Sequence, residues 1–144
     1  MTRAGYIPVV FLLALVGCRD PNMPDLVPVS GTVSQNGQPL RGVLVQFIPV
    51  DGAPGSGGAG RTDAEGQYQL RTMQGDPGIP AGEYKVTLAK LVMPDGSDFP
   101  EGSDVAPIDS AARQVLPAQY SEPRQTELHA SITGPSDDVD FELP

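Results

Sequence analysis

From Val27 onward, apolar side chains recur at every second residue, in short runs broken by glycine and proline. A strand sends successive side chains to opposite faces, whereas a helix needs a spacing of three to four, so this pattern buries itself as sheet. Val29, Gly31 and Val33 share one face of the first run, and Asn36-Gly37 follows as a turn dipeptide suited to positive φ. Val43, Val45 and Phe47 alternate with Leu44, Gln46 and Ile48, which predicts a central strand, apolar on both faces and closed by Pro49. After a tight turn at Asp63 to Gly66, Tyr68 and Leu70 oppose Gln67, Gln69 and Arg71; later, Tyr84, Val86 and Leu88 oppose Glu83, Lys85 and Thr87. Two final runs set Leu128, Ala130 and Ile132 against Glu127, His129 and Ser131, and Val139, Phe141 and Leu143 against Asp138, Asp140 and Glu142.

Two stretches depart from this period. Asp51 to Gly60 is glycine-rich and reads as a surface loop. Met93 to Pro123 sustains no period and reads as one long irregular insert, with a helical turn or two in Ile108 to Gln114 and with Leu116 and Tyr120 folding back as anchors. The expected fold is all-β: a seven-stranded antiparallel Ig-like or prealbumin-like β-sandwich over residues 28–144, carrying that insert at 93–123. A chain of 144 residues suits one such domain, and its 17 glycines and 16 prolines fall between the runs, where turns belong.

Residues 1–18 read MTRAGYIPVVFLLALVGC. Arg3 supplies a positive start, and the apolar run from Ile7 to Val16 would reach only about 16 Å as a helix, against roughly 30 Å of bilayer core. That length suits the hydrophobic part of an export signal. Leu15-Val16-Gly17-Cys18 resembles the bacterial lipobox, in which small residues precede a cysteine that takes diacylglycerol on sulfur. The expected organisation is a signal peptide over 1–17, lipidation of Cys18 and a flexible tether over 18–27, extended by the prolines of PNMPDLVP. Two or three acyl chains would anchor the protein stably, whereas one would not. Arg19 follows the cysteine where aspartate would signal inner-membrane retention, so outer-membrane or surface display is favoured.

The chemistry on offer is sparse. A net charge of −9 with no basic face argues against nucleic acid as a partner. A single cysteine excludes an internal disulfide and a multi-cysteine zinc site. His129 is the sole histidine, strand parity turns it to solvent, and no Gly-x-Ser-x-Gly elbow is present, so no catalytic residue and no cofactor is assigned. Asp95-Gly96-Ser97-Asp98 and Glu101-Gly102-Ser103-Asp104 gather oxygen atoms of the kind calcium takes. Their spacing is not that of an EF-hand, and the stretch reads as a solvated acidic loop with no metal assigned. Phe99 and Tyr120 are the aromatics that a glycan platform near the insert would use, and pinning the insert to the sheet is their simpler role.

Several spaced segments also resemble a known family. Val29-Ser30-Gly31-Thr32-Val33, Gly37-Gln38-Pro39-Leu40 and Gly42-Val43 through Phe47-Ile48-Pro49 are similar to the opening of carboxypeptidase regulatory-like (transthyretin-like) domains. Thr62-Asp63, Gly66-Gln67-Tyr68 and Pro80-Ala81-Gly82-Glu83-Tyr84-Lys85-Val86 continue the pattern in order. Leu116-Pro117 with Tyr120, then Phe141-Glu142-Leu143, resemble its ending in small bacterial lipoproteins. The resemblance covers residues 27–143 and implies a sandwich that serves as a structural or binding accessory without catalysis. The histidines and carboxy-terminal tyrosine motif of transthyretin-like hydrolases are missing from the chain. The functional expectation is therefore a lipid-anchored cell-envelope protein that is not an enzyme, held to the membrane through Cys18 and meeting an envelope protein or glycan. The alternative is a carbohydrate- or peptide-binding module that uses the 93–123 insert.

Overall fold

The computed structural model describes residues 24–144, so the expected signal peptide, Cys18 and most of the tether lie outside the described residues. Within them the chain is all-β, with eleven strands: β1 (Leu26–Val27), β2 (Ser30–Gln35), β3 (Gln38–Pro39), β4 (Val43–Pro49), β5 (Gly58–Arg61), β6 (Gln67–Gln69), β7 (Ile79–Pro80), β8 (Gly82–Val92), β9 (Arg113–Gln114), β10 (His129–Ile132) and β11 (Phe141–Leu143). The larger sheet runs β10-β8-β4-β5, with β9 also on β8. A smaller one runs β11-β2-β3, with β6 also on β2, and β1 pairs β7 in a short ribbon.

The strand count exceeds seven because turns cut single alternating runs into shorter pieces. Asn36 (φ 52°) and Gly37 (φ 79°) both take positive φ, the geometry that a two-residue hairpin demands, and they separate β3 from β2. One pairing is also not antiparallel: β11 lies parallel to β2, with Phe141 beside Val33 and Leu143 beside Gln35. Alternation sets which face a residue occupies and leaves strand direction open, so this pairing could not be read from the period.

One buried cluster takes side chains from all three sheets, including Val33 and Tyr68 from the smaller, Phe47, Tyr84 and Leu88 from the larger, and Ile79 from the ribbon. β4 is central, as expected, and pairs β8 from Val43–Lys90 to Pro49–Tyr84. Phe47 meets the rings of Tyr84 and Phe141 at centroid separations of 5.8 and 6.4 Å. Each such side chain contributes about 1.5–3 kcal/mol by leaving water.

The glycine-rich stretch expected to be a loop ends as strand. A Cβ on Gly58 would lie 2.6 Å from the Arg71 carbonyl, and one on Gly60 would lie 2.3 Å from that of Gln69. Bare glycine lets β5 close onto the segment around β6, where the amides of Ala59 and Arg71 each donate to the other's carbonyl at 2.9 Å. β5 thus belongs to the larger sheet through β4 and clasps the smaller one through Arg71. The turn between β5 and β6 is as the sequence foretold: Asp63 Oδ1 accepts from the amides of Glu65 and Gln67, and Gly66 sits at φ 74°.

The insert is more ordered than its irregular sequence implied, because it follows the edge of β8. Pro107–Asp109 form a single 3-10 turn, whereas Arg113–Gln114, expected in a helical turn, form β9. Gln114 Oε1 accepts from the Lys90 amide at 2.8 Å, and the Val115 amide donates to the Lys90 carbonyl at 2.9 Å. A four-residue helix, α1 (Ala118–Ser121), follows, and Thr126 Oγ1 donates to the Val86 carbonyl at 2.7 Å. Leu116 enters the core and Tyr120 packs half-buried against it, the anchoring roles expected of them.

Candidate functional site

His129 is exposed and lies opposite Lys85 on the outer face of the larger sheet, as parity required. The neighbouring hydroxyl, Ser131 Oγ, donates to Glu83 Oε1 at 2.5 Å. That serine therefore gives its proton to a carboxylate rather than to the imidazole.

The acidic loop does not converge on a point. Asp98 turns to Arg41 Nε at 3.3 Å and Lys90 Nζ at 3.5 Å, and Glu101 turns to Arg61 Nε at 3.3 Å. Asp95 Oδ1 accepts from Ser97 Oγ at 2.6 Å and from the Ser97 amide at 2.9 Å, and these bonds hold its carboxyl below the usual aspartate range. Among the described residues no group of three or more histidine, cysteine, aspartate or glutamate side chains is placed to hold a metal ion. Phe99, the other half of the imagined aromatic platform, is only 8% exposed. Its ring is spent on packing, while its carbonyl accepts from Arg61 Nη1 at 3.3 Å.

The concave surface lies elsewhere, beside the β5–β6 hairpin. A groove of about 630 Å³ is lined by Thr32 of β2, Gln67 and Gln69 of β6, and Arg61 and Arg71 at either end of β5 and its partner segment. Asp63, Glu101 and Asp137 stand at its margins. A second hollow of about 590 Å³ shares Arg61, Asp63 and Glu101 with the first and continues it toward Asp98 and Phe99. Tyr68 closes the underside with its ring buried, and its hydroxyl donates to the Val139 carbonyl at 2.5 Å. Burial, aided by the nearby Asp140 charge, pushes that phenol well above its ordinary range. The lining is thus hydroxyl, amide and guanidinium, with carboxylates at the rim.

Sequence reasoning placed Gln67, Gln69 and Arg71 outward but not together with Thr32 and Arg61. The only local signal was the Asp63–Gly66 turn, which predicts a hairpin and hence two adjacent outward rows. No family model, curated protein or solved structure matches the chain.

Proposed function

We propose that this is a lipid-anchored protein of the bacterial cell envelope, whose single β-sandwich domain serves as a non-catalytic structural or binding accessory. The observation that carries this reading is the placement of the only cysteine at the end of Leu15-Val16-Gly17-Cys18. The fold adds a measure of reach. β1 is held by β7 from Leu26 onward, so residues 19–25 alone separate the lipidated sulfur from the folded domain. Fully extended, such a segment spans about 25 Å, which keeps the domain close to the surface that holds its acyl chains. Arg19, in place of an aspartate, favours the outer membrane or the cell surface. Among the described residues no helix is long and apolar enough to cross a membrane.

The sandwich assignment, and with it the likeness to carboxypeptidase regulatory-like domains, draws support from the segment Pro80-Ala81-Gly82-Glu83-Tyr84. Tyr84 Oη donates to the Pro80 carbonyl, four residues back, at 2.6 Å. This corner, a tyrosine near the start of a strand bonded to backbone just upstream, is a hallmark of immunoglobulin-type sandwiches. The larger and smaller sheets then supply the two layers, with β5 as the clasp.

Fatty-acid labelling of the full chain expressed in bacteria tests the anchor. Wild type is expected to take up radiolabelled palmitate and to sediment with membranes, and Cys18→Ala to do neither. Equal labelling of the two would overturn the reading.

A further inference from the structure

We propose that the groove along the β5–β6 hairpin binds a neutral oligosaccharide. The proposal deepens the accessory reading above by naming a ligand class, and it centres the binding surface on the hairpin, with Glu101 of the 93–123 insert at its margin.

Shape comes first. At about 630 Å³ the groove falls within the few-hundred to thousand Å³ of small-ligand clefts, and the adjoining hollow of about 590 Å³ extends it in one direction. An elongated ligand of several rings suits that outline better than a compact one.

The lining then selects the chemistry. Gln67 and Gln69 each offer an amide that donates and accepts, Arg61 and Arg71 donate, and the Thr32 hydroxyl, which gives its proton to Asp140 Oδ1 at 2.9 Å, accepts. An apolar ligand would strip water from these groups and leave them unpaired, which works against binding. A sugar hydroxyl both donates and accepts, so a polyol can satisfy the whole surface.

Charge and topology exclude the nearest rivals. Arg61 is already paired with Glu101 at 3.3 Å, Asp63 and Asp137 flank the groove, and the chain carries a net charge of −9, so an acidic polymer is repelled. An extended peptide would dock by adding a strand to an open edge. Here the hairpin is closed at both ends, by the paired amides of Ala59 and Arg71 and by the Asp63 amide on the Gln67 carbonyl. Recognition has to run through side chains. Tyr68 is 1% exposed, so the groove has no aromatic face for a sugar ring to stack on. Affinity is accordingly expected near the millimolar level, about −4 kcal/mol.

The test uses the full lipidated chain in amine-oxide detergent, whose headgroup carries no sugar, and follows backbone amides by nuclear magnetic resonance. Cellotetraose, maltotetraose and chitotetraose are the neutral probes; tetragalacturonate and a polar octapeptide are the rivals. At least one neutral tetrasaccharide is expected to shift the amides of Arg61, Gln67 and Gln69 with a Kd of order 1 mM. Replacing Gln67 and Gln69 together by alanine is expected to weaken that Kd at least about fivefold. Both side chains are exposed, so the melting temperature should not move. Absence of shifts with all three sugars at about 20 mM, shifts mapped to another face, or tighter binding of either rival would each overturn the proposal. Cys18→Ala is run in parallel and is expected to keep the shifts, so a failed groove and a failed anchor give different results.

Discussion

The β4–β8 pair and the insert that runs beside it are held by different forces. Along β4 and β8, every inward residue from Val43 to Phe47 and from Tyr84 to Leu88 is buried, and backbone pairing spans seven registers. Along the insert, Leu116 is the one residue that enters the core cluster, with Tyr120 half-buried against it and Phe99 buried outside it; the rest is held by single hydrogen bonds such as Gln114 Oε1 to the Lys90 amide, and by ion pairs at Asp98 and Glu101. The first mode is cooperative because each burial supports its neighbours, whereas the second is a series of separate pins. A segment with no hydrophobic period can therefore still be ordered, provided that a neighbouring strand edge offers it unpaired amides and carbonyls.

The contrast is open to attack at its strongest point. Phe47→Ala removes a ring packed against Tyr84 and Phe141 and is expected to destabilise the whole domain by about 3–5 kcal/mol, measured by urea denaturation. A loss below about 1 kcal/mol would show that the core is not shared as described. Leu116→Ala should cost less, about 2–3 kcal/mol, and should raise hydrogen exchange at Val115 and Thr126 far more than along β4. Uniform acceleration across both regions would erase the distinction between them.

Tyr68→Phe leaves the Val139 carbonyl without its phenol donor and is expected to cost about 1–2 kcal/mol. The raised phenol pKa gives this bond a pH signature. The neutral phenol is favoured in the folded state, so its contribution is complete below the ordinary tyrosine value near 10 and falls as pH climbs above it. Wild type should therefore lose stability under alkaline conditions more steeply than Tyr68→Phe, as followed by circular dichroism. Asp98→Asn is the mildest case. Two part-exposed ion pairs predict less than about 1 kcal/mol, shrinking further in high salt.

Legibility in the sequence divides along the same line. Tyr84, Val86 and Leu88 could be assigned inward because alternation fixes the face of a residue before its neighbours are known. His129 was turned to solvent by the same rule. Phe99 was legible as a pin for the insert but not in its partner: one apolar residue in an acidic stretch has no period, and its place beside β8 is set by the Phe99 amide donating to the Leu91 carbonyl at 3.1 Å. The groove was hidden for a related reason. Gln67 and Gln69 look like any polar outer row, and concavity appears only when Gly58 and Gly60 draw β5 against the segment around Gln69 and Arg71. That approach is a long-range consequence of missing side chains, which no local pattern announces.

The parallel pairing of β11 with β2 carries a consequence for biogenesis. β2 is among the earliest strands to be synthesised, yet one of its flanks stays bare until Phe141–Leu143 arrive more than a hundred residues later. Loop closure over that separation is slow, and no shorter segment supplies the same partner. The nascent polypeptide therefore cannot complete its smaller sheet until Phe141–Leu143 have been synthesised. Its final compaction waits on the last strand, so the end of the domain governs when its beginning becomes stable.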